Sequence, residues 1–110
     1  MAAVGNLTLT GASSASYTFE IYPWNTPFNP VAAVYVVTKG FLAKDGGFRH
    51  SILYVGETGS LSERFANHHK ADTMQRHQAN HITVLLERNP EIRLRIEADL
   101  IDAYNPPCNG

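Results

Sequence analysis

Apolar and polar residues alternate through "SYTFEIYP", Ser16–Pro23, with the period of two that predicts a strand, and the proline closes it. The next stretch, "WNTPFNP", mixes Trp24, Pro27 and Pro30 with asparagines, loop chemistry in which the aromatic rings pin the chain to the core. "VAAVYVVT", Val31 to Thr38, is a continuous β-branched apolar run, the pattern of a central strand buried on both faces. Asp45-Gly46-Gly47 then supplies a hairpin turn, and "ILYVG", ending at Gly56, returns antiparallel beside it.

Beyond Gly56 the period changes. Ser60 and Glu63 form an S-x-x-E capping box that opens a helix at Leu61. A second helical segment covers Asp72 to Gln78, and "HITVLLE", His81 to Glu87, reads again as strand. Asn89-Pro90 pairs an N-cap with proline at the first helical position, and that helix runs to about Tyr104, where "NPPCNG" stops it. The predicted class is α+β: a small, mostly antiparallel central β-sheet flanked by α-helices, with an extra N-terminal strand. Residues 1–15, rich in small and polar side chains, read as a loose N-terminus without the basic and apolar regions of a signal peptide.

Length agrees with one domain over residues 1–110. No apolar run approaches the roughly 20 residues that span a bilayer, so no membrane partner is expected. A single cysteine, Cys108, makes no internal disulfide, which agrees with a reducing, cytoplasmic location. The net charge of −1 does not by itself advertise a polyanion partner. Lys39, Lys44, Arg49, Arg64, Lys70 and Arg76 crowd the middle of the chain, however, while acid gathers at Glu87, Glu91, Glu97, Asp99 and Asp102. Either a basic face or a solvated mixed-charge surface satisfies that distribution. His77 and His81 lack the company of a second cysteine or an H-E-x-x-H run, so no zinc motif is read here.

The last helix carries a conflict. At about 100° per residue, Ile92, Leu94, Ile96, Ala98, Leu100, Ile101, Ala103 and Tyr104 form one broad apolar arc, opposite Arg95, Asp99 and Asp102. Arg93 and Glu97 project from the middle of that arc. A carboxylate there needs a cation, and two are available: Arg93 at i, i+4 spacing, or a divalent metal held by Glu97 and waters at the wall of a cleft. Arg64 and His68 share the same spacing on the flank of the Leu61 and Phe65 face, a stripe at the border of core and solvent. A border arginine is ordinarily a solvated snorkelling side chain. Behind a glycine turn, with His68 beside it and Tyr54 on the strand that feeds it, it has the makings of a phosphate contact.

In order, the chain presents "AVYVV" with Tyr35, "LYVGETGSLSERF" with Tyr54 and Arg64, then His68, then "EADLIDAYNPPCN" with Glu97 and Asn109. This arrangement resembles the GIY-YIG nuclease superfamily over residues 31–109, and its closing segment is similar to that of the endonuclease subunit of bacterial nucleotide excision repair. It departs from the pattern in Ala33-Val34-Tyr35, which loses the motif's glycine, in a longer hairpin between Tyr35 and Tyr54, and in Glu57, where the repair subunit usually has lysine.

The resemblance implies a metal-dependent endonuclease that hydrolyses DNA phosphodiester bonds in repair or recombination, with a single Mg2+ or Mn2+ on Glu97. It implies Tyr35 as acceptor of a proton from the attacking water and Arg64 as the cation on the phosphate. Tyr54 and His68 would donate hydrogen bonds or relay protons, and Asn109 would close the site near Tyr54. The weak basic character implies loose, salt-sensitive DNA binding with targeting from a protein partner or a homo-oligomer. The alternative is a catalytically silent nucleic-acid- or protein-binding module on the same scaffold, in which Arg93 neutralises Glu97.

Overall fold

The computed structural model describes residues 3–109. Five strands run β1 (Gly5–Thr10), β2 (Ser16–Pro23), β3 (Ala33–Leu42), β4 (Phe48–Thr58) and β5 (His81–Leu86), with helices α1 (Leu61–Ala66), α2 (Ala71–Arg76) and α3 (Pro90–Tyr104). They form one antiparallel sheet in the order β1-β2-β5-β3-β4. The α+β class expected from the pattern is the class observed. No helix among the described residues is long and apolar enough to cross a membrane.

The unbroken apolar run of β3 has a direct cause: successive side chains enter two different cores. Tyr35 and Val37 pack with Leu61 of α1 and Met74 of α2 on one face. Val34 and Val36 pack with Ile96 and Leu100 of α3 on the other. The sheet is therefore a middle layer, and each helix set covers one side. In the β3–β4 hairpin, Gly46 takes a φ of +86°, a conformation that suits glycine, and Val37 pairs with Tyr54 while Thr38 pairs with Ile52. Leu53 is thus an extra residue, a bulge immediately before Tyr54.

The first residues correct the expectation of a loose terminus. Gly5–Thr10 is a strand, with Leu7 opposite Phe19 and Leu9 opposite Tyr17, and Leu9 is buried. The short turn after it is tied down by Asp99 of α3, whose carboxylate accepts from Ser13 N (2.8 Å), Ser13 Oγ (2.7 Å) and Tyr17 Oη (2.7 Å). Asp99, placed by the helical wheel on the open side, is in fact the anchor of this turn. Those bonds hold its carboxyl below the usual carboxylate range. Met1 and Ala2, part of the same expectation, lie outside the described residues.

Helix boundaries follow their caps. Asn89 accepts from the amides of Glu91 and Ile92, and Pro90 starts α3. Ser60 accepts from Glu63 N at 3.5 Å, but the second half of the expected capping box is not formed by Glu63: the Ser60 amide donates to Thr58 Oγ1 at 3.1 Å.

Candidate active site

Tyr35 and Tyr54 are cross-strand neighbours on β3 and β4, with stacked rings 6.0 Å apart. They approach so closely because Gly56 separates them from the backbone. A Cβ at Gly56 would lie 2.5 Å from the Tyr35 hydroxyl and 2.9 Å from Tyr54 Cε1. The glycine of "YVG" is a space requirement of the two phenols.

The Tyr35 side chain is fully buried, and its hydroxyl is the meeting point of the site. His68 Nε2 lies 2.8 Å away, and Arg64 Nη1 donates to it at 3.3 Å. The backbone N–H of Lys70 donates to His68 Nδ1 at 3.0 Å, so Nδ1 is unprotonated in the neutral ring and the proton sits on Nε2. His68 therefore donates to the Tyr35 oxygen. The expectation left donation and proton relay open for His68; this tautomer is the donating one.

His68 also corrects the helical stripe drawn from its spacing. Helix α1 ends at Ala66, with Asn67 at φ −155° and ψ 74°, so His68 lies past the helix end and turns inward instead of tracking the border above Arg64. Asn and His are weak helix formers, and the ring gains burial between Phe65 (5.4 Å, 28°) and His69 (4.9 Å, 10°). Only 7% of His68 is exposed. Burial first, then His69 and Arg64, lowers its pKa to about 4, so the imidazole is neutral at physiological pH.

The two phenols titrate above their ordinary range. Burial raises Tyr35, and the Tyr54 phenol adds to this, against the opposing pull of Arg64. Burial also raises Tyr54, opposed by its hydrogen bond with Tyr35 and by Arg64. At rest both are neutral. Arg64 and His68 nevertheless aim two donors at one phenolic oxygen, an arrangement whose hydrogen bonds strengthen if that oxygen acquires negative charge.

The acidic side of the site resolves the conflict in α3. Arg93 does not pair with Glu97. It is 7% exposed, its Nε donates to Glu57 Oε1 at 2.9 Å, and Nη1 donates to the carbonyls of Glu87 (3.1 Å) and Arg88 (2.8 Å). One guanidinium thus joins the end of β4, the β5–α3 connection and α3. Glu97, half-buried, is left without that partner. Burial raises its pKa and the Glu57 carboxylate raises it further, while the Glu57 backbone amide and the Arg64 guanidinium act the other way.

A carboxylate in that position favours any added positive charge, so Glu97 fits a divalent cation as its one hard oxygen ligand. Among the described residues no group of three His, Cys, Asp or Glu side chains stands ready to cage an ion. An ion on Glu97 would keep most of its coordination shell for water and substrate oxygens, as Mg2+ commonly does.

The C-terminal tail closes the edge of β4. Asn109 Oδ1 accepts from Val55 N (2.8 Å), its Nδ2 donates to Val55 O (2.9 Å), and Cys108 N donates to Leu53 O (2.9 Å). These bonds straddle Tyr54 in the chain and occupy the free edge of the sheet. Of the residues singled out in the sequence, Tyr35, Tyr54, Arg64 and His68 meet around one hydroxyl. Asn109 lies behind Tyr54, and Glu97 joins through the fields of Arg64 and Tyr54 rather than by contact. Sequence reasoning missed the Glu57–Arg93 pair and the Lys70 amide. The unusual acid at position 57 was a signal for the first, and nothing in the spacing signals the second. No family model, curated protein or solved structure matches the chain at a significant level.

Proposed function

We propose that this domain is a metal-dependent endonuclease of the GIY-YIG type, hydrolysing DNA phosphodiester bonds with Mg2+ or Mn2+ held by Glu97. The carrying observation is the convergence of Arg64 and His68 on the Tyr35 hydroxyl beside Tyr54, with Glu97 left free by the diversion of Arg93 to Glu57. A bound divalent ion would supply charge stabilisation for the scissile phosphate and the leaving oxygen.

The chain's own groups divide the remaining work. Tyr35 acts as the phenolate: its own proton first passes to hydroxide from solvent, its oxygen then takes the proton of the attacking water, and the two donors at that oxygen stabilise the phenolate on which the role depends. The further N–H groups of Arg64 bind a phosphate oxygen and offset charge there. Tyr54, its ring stacked 6.0 Å from that of Tyr35, positions the phenol, and Asn109 holds the backbone behind Tyr54. The ring of Phe65, 4.9 Å from Tyr35, keeps water from that side of the phenol.

The silent binding module has one observation in its favour. Tyr35 is fully buried and its proton is held more tightly than in a free phenol, so substrate binding has to open a path to it. Incubating the purified protein with supercoiled and branched DNA plus Mg2+ or Mn2+, beside Glu97→Ala, separates the two readings. Nicking by the wild type that the variant lacks supports the nuclease. DNA retained without any nicking supports the module, and equal nicking by both proteins removes Glu97 from the chemistry.

A further inference from the structure

A second group of rings lies at the far end of the sheet, on the face that carries α3. His81 of β5 stands opposite Thr38 of β3, and His50 of β4 stands opposite Gly40. The two histidines thus flank β3 from either side, and between them the strand carries a glycine. With no side chain at Gly40, the imidazoles lean over the strand to a centre separation of 5.5 Å at 71°. Phe48 covers the gap, 5.3 Å from His50 and 6.2 Å from His81. A Cβ at Gly40 would come 2.7 Å from Phe48 Cε2 and 2.9 Å from His81 Nδ1, so only glycine allows the cluster.

The hydrogen bonds settle which nitrogen of His81 is free. Asn80 Oδ1 accepts from Gly40 N (2.7 Å) and Asn80 Nδ2 donates to Gly40 O (3.0 Å), which fixes the orientation of the amide. The 2.7 Å contact from His81 Nδ1 to that same Oδ1 requires a proton on Nδ1. Its Nε2 therefore carries a lone pair. His50 Nδ1 lies 2.9 Å from Thr38 Oγ1, a hydroxyl able to accept the same kind of bond. His81 is oriented by donation through Nδ1 to a fixed amide oxygen, and His50 is tied through the same atom to Thr38 Oγ1; with the hydroxyl accepting, both rings have the arrangement that prepares imidazoles to bind metal through Nε2.

We infer that His50 and His81 form a two-histidine site for a divalent transition-metal ion of the Zn2+, Ni2+ or Cu2+ class, completed by water. Imidazole is the preferred ligand of those ions, and two rings on one tetrahedral ion hold their centres about 5 Å apart. Burial lowers the pKa of both rings, so they are uncharged and competent at neutral pH. The site is separate from the nuclease reading: its donors are nitrogens, not the carboxylate of Glu97, and it stands whether or not the protein cuts DNA.

The test is Zn2+ titration of the tag-free full chain in competition with a chromogenic chelator, alongside imidazole nitrogen NMR. The expected result is one Zn2+ per chain, with the Nε2 signals of His50 and His81 shifting while Nδ1 of each remains protonated. His50→Gln and His81→Gln should each weaken binding at least tenfold, whereas His69→Gln should leave it unchanged. The inference is overturned by Zn2+ binding that survives the His50→Gln, His81→Gln double variant. It is equally overturned if the signals of these two rings in the wild type do not move, a reading that needs no variant to fold.

Discussion

Replacing His68 with glutamine should change the pH dependence of stability in a defined window. The folded ring has a pKa lowered from 6.5 to about 4, with burial as the chief cause. Protonating it would also set a new N–H at Nδ1 against the Lys70 amide that now donates there. Between pH 6.5 and about 4 the unfolded chain binds a proton at this position that the folded chain does not. Unfolding free energy therefore rises with pH across that window. The neutral ring's advantage is complete above about pH 6.5 and is lost as the pH falls, by about 2 kcal/mol at pH 5 and about 3 kcal/mol at the lower end. Glutamine keeps an N–H donor for Tyr35 and has no titration. The assay is urea unfolding of both proteins at pH 7.5 and pH 5, comparing the loss in each. His50 and His81 titrate in both proteins and cancel in the difference. The wild type should lose about 2 kcal/mol more than His68→Gln over this interval. Equal losses would mean that the ring is not held neutral, and the assignment of its proton to Nε2 would fall with it.

Gly56→Ala should cost about 1–3 kcal/mol in thermal or urea unfolding, because its methyl meets both phenols. On the proposed nuclease reading, nicking should also drop at least tenfold as Tyr35 is displaced. Arg93→Met should cost about 2–4 kcal/mol, since it strands Glu57 and two carbonyls, and a neutral effect in urea would remove the pair from the scaffold. Asp99→Ala should raise amide exchange across residues 5–16 and leave β3 protected; unchanged exchange would show that strand pairing alone holds the first strand.

Part of the molecule was legible because its causes are local. Ser60, Asn89-Pro90 and Asp45-Gly46-Gly47 act within a few residues of themselves; the last two produced the cap and turn their chemistry predicts, and Ser60 caps α1 although Glu63 does not close the box. The double burial of β3 was equally plain, since a run with no polar alternation has no face to give to water. Polar pairing across the fold was not. Spacing offers Arg93 the carboxylate of Glu97, four residues away on its own helix, but Glu57, 36 positions distant, arrives at the end of β4 and takes its Nε. A helical wheel turns Asp99 away from the apolar arc and carries no sign that Ser13, 86 positions earlier, folds over it.

These long-range pairs bear on the candidate chemistry. Had Arg93 taken Glu97, the guanidinium would have lowered that carboxyl's affinity for a further cation. By taking Glu57 instead, it fastens the end of β4 to α3 and keeps the Glu57 amide beside Glu97. The Glu57 carboxylate is balanced by its own partner, so burial is the main reason that Glu97 resists its negative charge. The acid at position 57 thus comes with a compensating cation on α3. The Glu57 acid is thereby part of the framework that holds the end of β4 against α3 beside Glu97.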